Sequence, residues 1–539
     1  MDKKAFLAII ISIGILLLYP YIIKKVYPPR PAETRAEKAA PEKVAQVAPG
    51  VSPPGEAMPG EAPKEPEITF TEVLTTVDTP LYRAVFTNHG GAVKEWELKR
   101  YTQARETGSG AVDLARIPGR HTSFGTSIAK ETSTSPVVFT PSAKNITFDG
   151  DGGDGGDGGD GTAELTFAAV TPEGVRIEKK LTFDASDYAV KTELTLQNVS
   201  GKPFSGFVET ALAAGFEIAE KSYFHIGPLV KTQEKVIRQD AEDFQDSGMG
   251  KVHWLGLEDK YFLTVFIPFT DIPVNWTTEI TSTALTRAKV LFALELAPGQ
   301  TAAYSYDAFM GPKEYDLLLA RGMGLEEAIE FGFFSFMAKP LLVVLNFFQR
   351  YLVNYGLAII LLTVVIKVAF YPLTKHSLSS MKEMQRVQPQ LVAIKEKYKD
   401  DKEKMNREVM ELYKKYKINP VSGCLPMILQ IPVFIALYEV LYVAIELRHA
   451  PFVLWLTDLS AKDPYYVTPV LMGGSMFLQQ KMTPTSVDPT QAKVMLLMPI
   501  VFTVMFLKFP SGLVIYWLVN NILSIAQQHY VNRTHKAKA

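Results

Sequence analysis

Long apolar segments lie near both ends of this 539-residue chain, and they constrain its fold more than any other feature. Residues 5–23 form one uninterrupted apolar run, AFLAIIISIGILLLYPYII, which is long enough to cross a bilayer as a helix. The last third contains further candidate spans at about 353–372, 422–446, 465–481, 493–508 and 511–529. The sequence therefore predicts a polytopic α-helical membrane protein.

The N-terminal run is either an uncleaved anchor or a cleavable signal peptide. No small-residue A-x-A site follows it closely, and aromatic, Pro and Lys residues follow instead, which favours the anchor. We predict a transmembrane anchor over 1–27. Residues 28–66 are rich in Pro, Ala, Glu and Lys with almost no aromatic residues, a composition typical of a flexible tether.

From about 67 to 318 the pattern changes to short alternating strands, such as RIEKKLTF at 176–183. Such alternation with intervening turn residues predicts a large all-β sandwich. Within it, residues 149–161 read DGDGGDGGDGGDG. This run is either a calcium-binding glycine-aspartate repeat or an acidic loop, and its lack of regularly placed apolar residues favours the loop.

Positive charge predicts the orientation. Residues 375–420 contain many Lys and Arg residues, whereas 447–464 contains only Arg448 and Lys462. Because short basic loops stay in the cytoplasm, 375–420 is expected inside and 447–464 outside. Both termini are then cytoplasmic and the β domain is exported. The net charge of −1 excludes a global polyanion-binding field, and the single Cys424 excludes an intrachain disulfide.

The basic segment shows helical spacing on either side of Asp400 and Asp401, which predicts an antiparallel helical hairpin over 374–420. Its basic excess faces anionic lipid head groups, ribosomal RNA or only water. Before the second span, residues 319–350 combine acids, aromatics and Pro340. This mixture predicts an amphipathic helix lying in the membrane interface rather than crossing the bilayer.

Lys367 lies inside the apolar segment AIILLTVVIKVAFYPLT at 358–374. A lysine in mid-bilayer costs about 2.5–3.5 kcal/mol on insertion scales. With the helix expected to end at Pro372, the ammonium is roughly 7–8 Å from the cytoplasmic end. It can therefore snorkel to the inner surface or face a polar cavity among the helices.

Other polar residues fall at similar depths on neighbouring spans. Gln430 and Ser524 lie near the level of Lys367, and Thr363 lies one turn deeper on the same helical face. Such groups need hydrogen-bond partners or water, because lipid supplies none. They predict a shared polar concavity open to the cytoplasm. Glu439 is expected on the order of 10 Å from the level of Lys367, too far for an ion pair.

The sequence contains no GxxxxGK[ST], HExxH or GxSxG motif, and it predicts neither enzymatic activity nor a cofactor or metal. Two alternatives remain open. A Ser–Lys hydrolase would pair Lys367 with Ser524, which has no evident oxyanion-hole context. A solute transporter would also place polar groups at mid-depth, but it should show repeat symmetry among its spans, and none is visible.

Several long motifs resemble the YidC membrane-protein insertase family. They are YPLT (371–374), NPVSGCLPMILQIPVFIALY (419–438), ELRHAPFVLWLTDLSAKDPYY (446–466) and FPSGLVIYWLVNN (509–521). TPLYRAVFTNHGGAVKEWELKRY at 79–101 is similar to the first strands of the Gram-negative form. The resemblance covers nearly the whole chain and leaves out the tether and the Gly-Asp run.

The resemblance implies an N-terminal anchor and a five-helix core, with transmembrane helix 2 at 351–373, helices 3 to 6 at 421–530 and a basic cytoplasmic tail at 531–539. It further implies a periplasmic β-supersandwich and a hydrophilic groove closed on the outside. Lys367 stands where the family usually has an arginine. The substrate-contacting positions implied are Thr363, Gln430, Ile431, Phe434, Met505, Tyr516, Trp517 and Ser524.

The resemblance also implies an inner-membrane insertase and chaperone, working alone or with the Sec translocon. The implied partners are nascent membrane-protein clients, the Sec translocon with its accessory subunits, and the lipid bilayer. The ribosome or targeting factors would bind the cytoplasmic hairpin.

Overall fold

The computed structural model describes residues 71–105, 108–116, 122–130, 133–148, 161–215, 224–239, 245–269, 274–282, 285–416, 425–482 and 489–536. The predicted anchor and tether, and residues 149–160 of the Gly-Asp run, lie outside these ranges. The described chain divides into two units, a β-rich one that comprises the residues up to Glu330 and Val443–Ile445, and a helical one that comprises the other residues from Phe331.

The β-rich unit contains strands across the region where the sequence shows alternation. In chain order they are β1 (Leu74–Asp78), β2 (Tyr82–Thr87), β3 (Ala92–Thr102), β4 (Ala111–Asp113), β5 (Gly125–Lys130), β6 (Ser133–Pro136), β7 (Thr140–Pro141), β8 (Asn145–Thr147), β9 (Thr162–Val170), β10 (Val175–Asp184), β11 (Ala189–Asn198), β12 (Phe204–Ala214), β13 (Gly227–Lys231), β14 (Val236–Arg238), β15 (Gln245–Gly250), β16 (Trp254–Glu258), β17 (Phe262–Pro268), β18 (Val274–Ser282), β19 (Leu285–Leu296) and β20 (Thr301–Pro312).

These strands form three sheets in the described part of the chain. Their orders are β4-β3-β2-β1-β8, β14-β13-β16-β17-β20-β11-β10-β9-β7 and β15-β18-β19-β12-β5-β6. The pairing is antiparallel except between β1 and β8. Strand β10 shows why the sequence forms this layer, since its inward positions alternate with outward ones from Val175 to Phe183.

A lysine joins the three sheets. Lys179 of β10 is buried, and its ammonium donates to the carbonyl oxygens of Gly91 (2.9 Å) and Phe124 (2.5 Å). Gly91 lies in the turn between β2 and β3, and Phe124 directly precedes β5. Aromatic side chains fill the neighbouring core, including Tyr82 stacked on Trp96 with ring centroids 3.9 Å apart.

The helices follow the last strand. They are α1 (Tyr315–Arg321), α2 (Ser335–Leu352), α3 (Tyr355–Lys397), α4 (Lys402–Lys415), α5 (Leu425–Val443), α6 (Val467–Met482), α7 (Pro489–Phe506) and α8 (Ser511–Lys536), with short 3-10 turns at Leu325–Ala328 and Ile445–Leu447. A helix therefore lies over each of the five candidate spans of the last third. By length and apolar composition, α3 could cross a membrane, and shorter apolar helical segments lie at Gln430–Val443 and Leu497–Phe506.

Two expectations about helix ends are wrong. The helix that carries Lys367 does not end at Pro372 but continues to Lys397, because a proline inside a helix removes one hydrogen bond without requiring a break. The single interfacial helix expected over 319–350 is instead α1, a 3-10 turn and α2. Gly324 and Gly332 adopt positive φ angles of 70° and 63° between these pieces, which ends regular helix there.

The basic segment forms helix on either side of a short turn within the described residues. The Asp401 side chain caps α4 by accepting a hydrogen bond from the Lys404 N–H at 3.0 Å. Val387 and Leu391 of α3 pack against Leu412 of α4 in a small apolar core. The hairpin is therefore the end of the α3 helix folded against α4, rather than a separate pair of helices.

Candidate functional site

The ammonium of Lys367 points from α3 to α8. Its Nζ donates a hydrogen bond to Ser524 Oγ at 2.7 Å, and this hydroxyl donates to the main-chain oxygen of Asn520 at 2.7 Å. Both Lys367 and Ser524 are half-buried. The side chain is therefore held against a neighbouring helix rather than extended along its own helix toward the inner surface.

A third helix joins this network at Asn520. Gln430 of α5 donates from Nε2 to Asn520 Oδ1 at 2.7 Å, and Asn520 is buried. Lys367, Ser524 and Gln430, which the sequence placed at one depth, are thus connected through a residue of α8. Sequence reasoning missed the role of Asn520 as the connector.

Thr363 lies one turn before Lys367 on α3 and is buried. Its hydroxyl donates to the carbonyl oxygen of Ile359 at 2.7 Å, so it satisfies itself within its own helix. The polar side of α3 therefore begins at Lys367 and continues in the other direction along the helix, toward the hairpin.

Further polar contacts join α3 and α8 beyond Lys367. Gln527 Nε2 donates to Thr374 Oγ1 at 2.6 Å, and Lys382 Nζ donates to the main-chain oxygen of Val531 at 3.2 Å. Sequence reasoning missed these residues. Their spacing is the signal that could have found them, because Thr374 lies two helical turns after Lys367 and Gln527 one turn after Ser524.

Aromatic side chains lie beside the polar network. The Phe434 ring of α5 meets the Trp517 ring edge-on at 4.6 Å and lies nearly parallel to Tyr516 at 6.5 Å. Trp517 Nε1 is buried without a hydrogen-bond partner among the described residues. Ile431 is half-buried, whereas Met505 of α7 is 44% exposed. The predicted contact positions thus divide into a packed aromatic group and an outward-facing methionine.

No carboxylate of the described residues forms an ion pair with Lys367, whose contact is the neutral Ser524 hydroxyl. Glu439 of α5, the acid weighed in the sequence, is buried and lies beside Gly332, where an added Cβ would be 3.2 Å from its Oε1. The positive charge is held by neutral groups, which leaves it available to an acidic group of another molecule.

The distance between Lys367 and Ser524 is that of a catalytic Ser–Lys pair in a hydrolase, but the directions of the hydrogen bonds are different. The ammonium donates to the serine, and the serine hydrogen is directed to the Asn520 carbonyl. An activated serine requires a neutral base that accepts its proton. The arrangement therefore orients a charge and does not activate a nucleophile.

Two family models match the chain. One described as "YidC periplasmic domain" matches residues 74–344, and one described as "60Kd inner membrane protein" matches 347–538. The membrane protein insertase YidC of Syntrophus aciditrophicus (strain SB) is 44% identical over 99% of this chain and 100% of its own length. That of Geotalea daltonii is 42% identical over 99% of each chain. A crystal structure of an active YidC insertase is 19% identical, with a TM-score of 0.39 over 85% of this chain and 95% of its own.

Proposed function

The chain belongs to the YidC family of membrane protein insertases, and from this premise we propose that it inserts its clients through a hydrophilic groove with Lys367 in its wall. The observation that carries the proposal is the Lys367 ammonium, whose hydrogen-bond partner among the described residues is Ser524, with Asn520 and Gln430 behind it. Thr363, Ile431, Phe434, Met505, Tyr516 and Trp517 would contact the apolar part of the client.

The groove lowers a specific energetic barrier. A nascent span arrives with a short polar tail, and each charge that enters intact hydrocarbon costs several kcal/mol. A polar groove that reaches partway across the bilayer shortens the apolar path, and Lys367 transiently binds acidic residues of the tail. The apolar segment of the client then enters lipid, and hydrophobic burial supplies the driving force without nucleotide hydrolysis.

The topology proposed for this mechanism has an N-terminal anchor at 1–27, the β domain at 67–318 in the periplasm, and membrane helices at 351–373 and 421–530. Both termini are then cytoplasmic. The hairpin at 374–420 receives clients from the ribosome or targeting factors, and the protein works alone or with the Sec translocon and its accessory subunits. The excess of Lys and Arg in 375–420 over 447–464 supports this topology.

The test is insertion of a single-span client with an acidic tail by the purified full-length protein in liposomes, scored by protease protection of the tail. Lys367→Arg should insert this client normally, because it keeps the positive charge. Lys367→Ala and Lys367→Glu should lower the rate of insertion of this client roughly tenfold or more, which corresponds to an increase of about 1.4 kcal/mol in the activation free energy.

A client whose tail carries no charge is the matched control, and it should be inserted equally by all four proteins. Normal insertion of the acidic client by both Lys367→Ala and Lys367→Glu would refute the role of the charge.

A further inference from the structure

The loop between α5 and α6 contains an inward-facing polar framework. Asp463 is buried, and its carboxylate accepts hydrogen bonds from Trp455 Nε1 (3.1 Å), the Tyr465 N–H (3.0 Å) and both the N–H and hydroxyl of Thr468 (2.8 Å each). Asp458 accepts from the N–H and hydroxyl of Ser460. These bonds fix the course of residues 447–466.

The same loop is fastened to the first residues of three helices. Ser511, at the start of α8, donates from its N–H to the Ala461 carbonyl and from its hydroxyl to the Asp458 carbonyl. Asn354, the cap of α3, donates to the Phe452 carbonyl at 3.1 Å. Thr468 in the first turn of α6 is held by Asp463. The loop is therefore a rigid cap on one end of these helices.

The outward side of this cap is apolar. Leu454 is 77% exposed and Tyr465 is 69% exposed, and Val453 and Tyr466 are also exposed. Leu454 and Tyr466 have φ angles of 53° and 58°, a region that bulky residues rarely adopt and that costs of order 1–3 kcal/mol. The cap thus maintains strained backbone at two positions whose side chains point into the surroundings.

We propose that this apolar surface, Val453, Leu454, Tyr465 and Tyr466, is seated in the outer leaflet of the bilayer, at the boundary between head groups and acyl chains. The cap joins the ends of helices that lie in the segment matching an inner membrane protein. A lipid bilayer around those helices would therefore also reach the cap. Its composition agrees, since Tyr and Trp collect at this boundary. Lys462 lies in the cap and Lys508 lies just after the end of α7, and both are exposed. At this boundary their ammonium groups could contact the phosphates of the lipid head groups.

This placement rests on the proposed topology, in which 447–464 faces the periplasm. It adds a monotopic anchor to the spanning helices. The two aspartates satisfy themselves inside the cap, so the surface that meets the lipid carries no acidic group that would oppose anionic head groups. The cap would thereby hold the outer ends of α3, α6 and α8 at a defined depth.

The test uses full-length protein in which Cys424 is replaced by serine and Leu454 by cysteine, labelled with an environment-sensitive fluorophore. It is reconstituted into phosphatidylethanolamine–phosphatidylglycerol vesicles. Doxyl-labelled lipids quench probes at the acyl boundary, and iodide present on both sides of the membrane quenches probes in water. Val199→Cys is the matched control, because Val199 is an exposed apolar residue in a turn of the β-rich unit.

The Leu454 probe should lose fluorescence to doxyl lipids and be protected from iodide, whereas the Val199 probe should respond in the opposite way. Quenching of both probes by iodide would overturn the inference, and so would shielding of the Leu454 probe from both quenchers, which indicates contact with protein. Client insertion is measured on the same vesicles. If clients are inserted while the Leu454 probe is exposed to water, the anchor is refuted and the insertase function stands. If the probe lies in lipid and clients are not inserted, the anchor stands and the proposed insertase function is refuted.

Discussion

The Gln430 amide donates to the side-chain oxygen of Asn520 at 2.7 Å, so α5 and α8 are joined at the same residue whose main chain receives the Ser524 hydroxyl. Asn520 is therefore one bond from the serine that holds the Lys367 ammonium. The side-chain amide of Asn520 thus joins to α5 the turn of α8 whose main chain holds the Ser524 hydroxyl.

Replacing Asn520 by leucine should destabilise the protein and impair insertion of acid-tailed clients. The change leaves the Gln430 amide without its partner, and a buried unsatisfied polar group costs about 1–3 kcal/mol. Thermal unfolding in detergent and the liposome assay measure the two effects. Ile522→Ala, at an exposed position of the same helix, should change neither, and unaltered stability of Asn520→Leu would show that the network is dispensable.

Ser524→Asp should reduce insertion of acid-tailed clients while the protein stays folded. A carboxylate at this position would pair with the ammonium now held by the hydroxyl at 2.7 Å, and this pair would compete with the client. Ser524→Asn, which is similar in size and uncharged, should keep most of the activity. Equal activity of the two variants in the liposome assay would contradict a role for the unneutralised charge.

Glu258 is the buried centre of an ionic cluster in the β-rich unit, within 2.6 Å of Lys313 Nζ, 2.8 Å of Arg238 Nε and 2.9 Å of His225 Nδ1. Burial alone would raise the pKa of Glu258, but Lys313, Arg238 and His225 together hold it below its usual value. The contribution of this carboxylate to the free energy of unfolding is therefore fully present above its unfolded-state pKa of about 4.3. It is lost as the pH falls toward the lower pKa of Glu258 in the folded state.

Glu258→Gln should destabilise the β-rich unit by about 3–5 kcal/mol, because it leaves buried cations without their counter-charge. Urea denaturation followed by tryptophan fluorescence measures this change. Glu193→Gln is the control, since the pair of Glu193 with Lys191 is largely exposed and is worth at most about 1 kcal/mol. A similar small loss for both variants would mean that water reaches the Glu258 cluster.

Lys179 should make the stability of the β-rich unit depend on pH. Burial lowers the pKa of Lys179 to about 7, whereas an unfolded lysine titrates near 10.4. Between these values the unfolded state binds more protons, so stability from this site rises with pH. Below about pH 7 the full penalty for the buried charge applies.

The comparison that isolates this effect is with Lys179→Met, which removes the titrating group. The free energy of unfolding of the parent protein, relative to the variant, should increase by up to about 1.4 kcal/mol per pH unit between about pH 7 and about pH 10. Urea denaturation over that range measures it. A constant difference would mean that the ammonium stays charged in the folded state.

Local sequence patterns were sufficient to predict strands and helices and to identify part of the candidate site. The alternation at 176–183 corresponds to β10, and Asp401 caps α4 where two aspartates interrupt the helical spacing. The common depth of Lys367, Gln430 and Ser524 followed from counting along apolar spans. The same alternation could have identified Lys179, because it falls on the inward series of β10, but a lysine in a strand is ordinarily taken as solvent-facing.

By itself, the sequence determined which regions form strands and which form helices, which segments are apolar enough for a membrane, and which polar residues they contain, because these properties depend on neighbours within a few residues. It did not determine where the helix that carries Lys367 ends. Only the tertiary structure decided that Ser524, 157 residues away along the chain, holds Lys367, that Asn520 connects Gln430 to them, and that Lys179 binds carbonyls of two other sheets. Such contacts depend on how distant segments pack, and a helical or strand period carries no information about which segment will lie opposite.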